Sequence, residues 1–259
     1  MFGTRFFAYQ FCKNWLSKRP GLVFWSSVAT INAMYQTRPL YCESVTKTIQ
    51  QTYEGLVQKR INNEDELFLL GSGPRYVSFL SIHVYDIELY IQKKDVQTVH
   101  TILQKEVDPK LGLEMSMKDE EIGSRIVAAL LKNEMKYAIK IVPTRNTNFS
   151  HLRGGFVRGL QSRMSQNDPA EQAAVSKFRS TFPVNRTCFK ETALWMKLYG
   201  NDFCYIYKDS EIGHMHDENY MVSNLFLKGY LVGPRVNSEQ ARESVCLTLR
   251  RIMDGTLLF

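Results

Sequence analysis

Five histidines, five cysteines and one glycine-rich run are the places where residue type and spacing could support chemistry. His214-Met-His-Asp-Glu218 gathers metal-donor types in one short stretch. Two imidazoles one residue apart chelate only where the loop bends suitably, and polar residues are expected ahead of a helix anyway, so a solvated role competes with a metal role. His100 falls in a polar helical stretch, Asp95–Val107, and reads as surface; His151 opens a helical pattern and reads as a capping-region residue. The cysteines (Cys12, Cys42, Cys188, Cys204, Cys246) show no CxxC or CxxCH spacing, which argues against a zinc ribbon, a thioredoxin-type site or covalent haem attachment. Cys188 and Cys204 could pair across adjacent strands, but buried free thiols are the preferred reading. Gly71-Ser-Gly-Pro-Arg75 superficially resembles a phosphate loop, yet the third glycine of a dinucleotide fingerprint is replaced by Tyr76 and a Gly-Lys-Ser/Thr ending is absent. It is therefore expected to be a tight turn between two strands. No Ser/His/Asp arrangement stands out, and Glu120-Glu121 reads as a solvated helix face.

These residues need elements to hold them. Strand-like runs, rich in branched and aromatic residues, are Leu67–Leu70, Tyr76–Ile91, Lys136–Pro143, Ala193–Tyr199 and Phe203–Tyr207. In the long run, alternation places Asp86 and Glu88 on a face that sees water and His83, Tyr85, Ile87 and Leu89 on the face where helices pack. His83 and Tyr85 are thus expected to project inward. Leu152, Phe156, Leu160 and Met164 recur every fourth residue with Arg153, Arg158 and Arg163 on other faces, predicting an amphipathic helix. Val222, Leu225, Phe226 and Leu227 predict a second, stopped by Gly233-Pro234; Ala241, Val245, Leu249 and Ile252 predict a third, opened by Ser238. Strands first and helices interspersed later indicate α+β.

With 259 residues, 44% of them apolar, the chain can build a real core. The formal charge of +7 resides at one end: of 33 basic groups, Arg5, Lys13, Lys18, Arg19 and Arg38 precede the first acid, Glu43, leaving 28 against 26 in the rest. That distribution does not suit a nucleic-acid binder. Residues 1–42 fit a mitochondrial presequence, and the uncharged stretch 20–37 fits a marginal inner-membrane segment that would leave the following domain in the intermembrane space. Residues 43–66 read as a polar linker, and 67–259 as a single domain.

Leu69-Leu-Gly-Ser-Gly-Pro-Arg75 followed by Ile82-His-Val-Tyr-Asp-Ile-Glu-Leu-Tyr90 resembles the chalcone isomerase pattern of a Gly-x-Gly-x-Arg turn leading into a strand. Ile141-Val-Pro143 through the helix at Leu152, Lys177-Phe-Arg-Ser-Thr-Phe-Pro183 and Tyr220 to Gly233 resemble later family segments in the same order. The sequence looks most like the fungal mitochondrial branch of that superfamily, with Lys110–Asn133 resembling an insertion. The resemblance implies an open antiparallel sheet with helices packed on one face and a cleft between them. Family isomerases stabilise an oxyanion with an Arg, a Thr, a Tyr and an Asn; here these positions fall on Arg75, Tyr85, Phe149 and Phe156. Losing the phenol and the amide removes donors, each worth about 2.7–4 kcal/mol of transition-state stabilisation. The resemblance therefore implies a non-catalytic protein binding an apolar carboxylate, with an isomerase (intramolecular lyase) of altered substrate as the alternative. Haem is expected ahead of a fatty acid, bound through one inward histidine, with His83 as the first candidate, His214 or His216 as the second, and His151 or a Tyr85 tyrosinate next in line, and with Arg75 facing a propionate.

Overall fold

The computed structural model describes residues 66–77, 81–165, 168–257 and 259. The expected presequence, the expected membrane segment and, apart from Glu66, the expected linker lie outside the described residues. Six strands form one antiparallel sheet in the order β1-β2-β3-β6-β7-β8: β1 Leu67–Val77, β2 Ile82–Gln92, β3 Tyr137–Pro143, β6 Leu194–Tyr199, β7 Asp202–Tyr207 and β8 Ser210–His216. A separate pair joins β4 Thr147–Asn148 to β5 Thr187–Cys188. Seven α-helices complete the described fold: α1 Val96–Glu106, α2 Gly112–Lys118, α3 Glu120–Lys132, α4 Phe149–Gln161, α5 Pro169–Thr181, α6 Met221–Leu231 and α7 Glu239–Met253. The α+β architecture expected from the sequence is present.

Alternation builds the core. Tyr85, Ile87, Leu89 and Ile91 of β2 are buried on one face, as are Tyr137, Ile139 and Ile141 of β3 and Phe203, Tyr205 and Tyr207 of β7. Helix α6 lies over them and touches α3, α4, α5 and α7, so it is surrounded on nearly all sides. Its apolar residues accordingly extend around the helix, including Val222, Leu225, Phe226, Leu227, Tyr230 and Leu231. Beneath it Phe156, Phe178, Phe182, Phe203, Tyr205 and Phe226 form a ring cluster with mostly tilted or edge-on contacts, the geometry aromatic quadrupoles favour. Helix boundaries follow the local chemistry. Ser238 Oγ accepts from Ala241 N at 3.2 Å and opens α7 as expected, while Asp168 Oδ1 accepts from Ala170 N at 2.9 Å and opens α5 beside Pro169.

Two expectations are corrected. The Gly71–Arg75 run is not a turn but the middle of β1, paired with β2 from Gly71↔Leu89 to Arg75↔Tyr85. Its glycines serve packing: a Cβ on Gly71 would stand 2.5 Å from Val245 N, and one on Gly73 2.4 Å from Ala241 N, because α7 lies directly on this strand. The expected single strand Tyr76–Ile91 is two strands, the chain reversing between Val77 and Ile82. Lys110–Asn133, the stretch that resembles an insertion, lies between β2 and β3, where α2 and α3 supply Leu113, Met117, Ile126, Val127, Leu130 and Leu131 to the core.

Candidate ligand cavity

A cavity of about 610 Å³ opens between the end of the β1–β2 pair, α4 and α6. Antiparallel register sets Arg75 directly opposite Tyr85, and both side chains line this cavity. Arg75 Nη1 donates to the backbone oxygen of Asn237, in the segment between α6 and α7. Tyr85 Oη lies 2.8 Å from Tyr230 Oη of α6. Burial pushes the Tyr85 phenol above its ordinary range, partly opposed by the Tyr230 hydrogen bond and by Arg75; burial raises Tyr230 further, and Tyr85 adds to it. Both phenols are therefore protonated at neutral pH. One O–H is consumed between the two rings, which leaves one phenolic proton beside the guanidinium to meet an acceptor.

The walls are apolar below and cationic above. Val84, Leu152, Phe156, Leu160, Leu225 and Phe226 supply hydrocarbon, while Arg75, Arg145 and Arg158 supply charge, and no Asp or Glu lines the space. Among the described residues none of these three arginines has a carboxylate partner. Gly154, Gly155 and Gly159 also face the cavity from α4, and a Cβ on Gly155 would meet nothing within 4 Å. Phe156 is 4% exposed and packs against Tyr85, Phe182 and Phe226 at centroid distances of 6.2, 5.7 and 5.7 Å.

Arg75, Tyr85 and Phe156 thus come together as the sequence suggested, and four other expected residues do not. Phe149 is fully buried under Tyr207 and Phe182, with ring centroids 5.2 and 6.1 Å away, and does not line the cavity. His83 points to the opposite sheet face. Arg75 pairs with Tyr85 and Tyr76 with His83, so Val84 is an extra residue in β2, a bulge that reverses the alternation beyond it. His83 Nε2 consequently lies 2.9 Å from Asp86 Oδ1, and its ring centroid is 5.3 Å from that of Tyr76. His214 and His216 stand on β8, at the sheet edge opposite β1, exposed and hydrogen-bonded to Glu211 and Asp202. None of these three candidate iron ligands therefore lines the cavity; among the described histidines only His151 does. Among the described residues no group of three or more His, Cys, Asp or Glu is placed to hold a metal ion.

Sequence reasoning missed Tyr230, Asn237, Arg145 and Arg158. A signal for the α4 wall was present, since three glycines inside one helix each cost about 1 kcal/mol relative to alanine and call for a spatial reason. Tyr230 had no such signal, lying within an apolar run that reads as core.

Three yeast proteins named "Altered inheritance of mitochondria protein 18, mitochondrial" are similar to this chain. The Debaryomyces hansenii protein is 26% identical over 198 residues, covering 71% of this chain and 66% of its own length. The Kluyveromyces lactis protein is 23% identical over 221 residues, covering 78% and 70%. A Saccharomyces cerevisiae protein is 29% identical over 196 residues, covering 68% and 61%, so the match spans about two thirds of these relatives. The fold is similar to the crystal structure of an Arabidopsis thaliana fatty-acid binding protein, with a TM-score of 0.53 at 18% identity over 76% of this chain and 94% of that one. The family model described as chalcone isomerase like matches residues 65–246, well over half of the sequence. This chain belongs to the chalcone isomerase-like family.

Proposed function

We propose that this protein is a non-catalytic binder of an acyl carboxylate, of fatty-acid type, held in the α4/α6 cavity. The observation that carries this reading is the coexistence of an apolar floor with three arginines and no acid in one cavity of about 610 Å³. Ligand sites of this size bury most of a small amphiphile, and a few polar groups orient it. Arg75 and the Tyr85/Tyr230 pair would hold the carboxylate, a charge-assisted contact, while the alkyl chain would lie on Leu152, Phe156 and Phe226. The fatty-acid binding name of the Arabidopsis neighbour supports the same ligand class. Phenylalanine at 156, where the resemblance places an amide donor, supports loss of the isomerase chemistry. Haem would satisfy the same arginine, but the three histidines expected first as its iron ligands face elsewhere, so a fatty acid is preferred. The relatives' mitochondrial names, the acid-free basic residues 1–42 and the uncharged stretch 20–37 support a mitochondrial protein held at the inner membrane with its domain in the intermembrane space.

Displacement of a fluorescent anionic acyl probe from the purified, delipidated protein tests this. A long-chain fatty acid should displace it at least about tenfold better than the methyl ester, which lacks the charge. Equal displacement, or no acyl binding beside a strong haem absorption band, would overturn the reading.

A further inference from the structure

The rim of the cavity carries features that holding a ligand does not require. Val77 and Ile82, paired at the end of the β1–β2 pair, are 37% and 38% exposed, and large apolar side chains exposed side by side usually mark a contact surface. Val77 itself lines the cavity and pairs with Ile82, which places both at its mouth. Arg145 and Arg158 line the same cavity and are exposed without a carboxylate partner among the described residues. From Thr144 to Asn167 the sequence contains no Asp or Glu but carries Arg145, Arg153, Arg158 and Arg163. The other exposed apolar group differs in this respect: Leu111, Met115 and Leu247 lie on elements that also hold Glu114, paired to Arg250, and Glu243.

We infer that the mouth of the cavity docks on an anionic lipid surface, with Val77 and Ile82 entering the headgroup boundary and Arg145 and Arg158 meeting lipid phosphates. This inference rests on the acyl-carboxylate reading, because a ligand that resides in membranes gives the mouth a reason to face one. The charge argues for this surface over a second copy. A second copy would set the same arginines against each other across a two-fold axis, whereas an anionic bilayer opposes them with phosphate at every approach. Apolar side chains flanked by cations are the pattern of a peripheral contact. Among the described residues no helix is long and apolar enough to cross a membrane, so the contact is at the surface.

The test uses the full chain with phosphatidylcholine vesicles and with vesicles containing about one third phosphatidylglycerol. The protein should partition onto the anionic vesicles more strongly, and hydrogen exchange should slow at the start of β2 and in α4. Each basic group near such a surface is worth about fivefold in affinity, so Arg145→Gln with Arg158→Gln should cost about 20- to 30-fold. Ile82→Asp should weaken vesicle binding and leave acyl displacement in vesicle-free solution unchanged. Equal partition onto both vesicle types, protection confined to residues before Glu66, or wild-type affinity in these variants would overturn the inference. The two readings fail separately: acyl binding in solution without rim protection removes only the docking, and rim protection without acyl binding removes only the ligand.

Discussion

His83 Nε2 lies 2.9 Å from Asp86 Oδ1, a contact that regular strand alternation forbids because residues three apart on a strand point to opposite faces. The bulge at Val84 makes it possible and takes His83 out of the cavity. Both side chains are a third to a half exposed, so the contact adds little stability. His83→Ala should change unfolding free energy by no more than about 0.5 kcal/mol. Acyl displacement curves, and absorption spectra recorded after adding haem, should superimpose on those of the unaltered protein. A shifted curve or spectrum would put His83 back at the ligand.

Two glycine substitutions of the same chemistry should act in opposite directions. Gly71→Ala places a methyl group against the backbone of α7 and should lower stability by about 1–3 kcal/mol through overpacking. Gly155→Ala meets open space in the middle of α4 and should raise stability by up to about 1 kcal/mol through helix propensity. Thermal unfolding of the two variants checks this. An unaffected Gly71→Ala would mean that the run is a loop after all.

The sequence made most of the framework legible because burial imposes periodicity. Leu152, Phe156 and Leu160 are buried on α4 as their spacing predicted, and Ala241, Val245, Leu249 and Ile252 on α7 likewise. The face of Tyr85, Ile87 and Leu89 was also readable. His83 was not, since a bulge is a property of two strands' register and leaves no mark in one strand's alternation. The glycines of β1 misled for a related reason: a close approach of α7, 170 residues further along, selects the same residue type as a tight turn. Tyr230 and Asn237 reach the cavity only through tertiary placement of α6 and the segment after it, which no local pattern encodes.

Asp217 gives the fold a pH dependence with a definite sign. Its side chain is 1% exposed and accepts from the backbone amides of Val222 and Ser223 at 2.8 Å each and from Ser223 Oγ at 2.5 Å, tying down the start of α6. Burial raises its pKa, an effect that the Ser223 and Val222 hydrogen bonds offset only in part. A carboxyl whose folded pKa lies above its unfolded value binds more protons in the native state, so its contribution is full below about pH 4 and is lost as pH rises through the folded value. Asp217→Asn removes that titration. The stability of the unaltered protein relative to Asp217→Asn, from urea unfolding, should therefore be greatest near pH 4 and decline toward neutrality. A difference that grew with pH would show that the hydrogen bonds outweigh burial.

Arg75 and the two tyrosines should separate charge from hydrogen bonding at the carboxylate. Arg75 supplies a cation to the cavity beside Tyr85, and hydrogen bonds to charged groups contribute about 1.5–3 kcal/mol, so Arg75→Gln should weaken a fatty acid about 10- to 150-fold. The same change should leave the methyl ester nearly unaffected, because the ester presents no charge to lose. Tyr230→Phe removes one of the two phenols and returns the pair to a single O–H. If that remaining proton turns to the ligand, the fatty acid loses little; Tyr85→Phe with Tyr230→Phe removes both and should cost a further factor of about ten relative to Tyr230→Phe alone. Displacement titrations of both ligands against the four proteins resolve these contributions. Equal losses for acid and ester in Arg75→Gln would mean that the arginine shapes the cavity through its bond to Asn237 and does not meet the carboxylate.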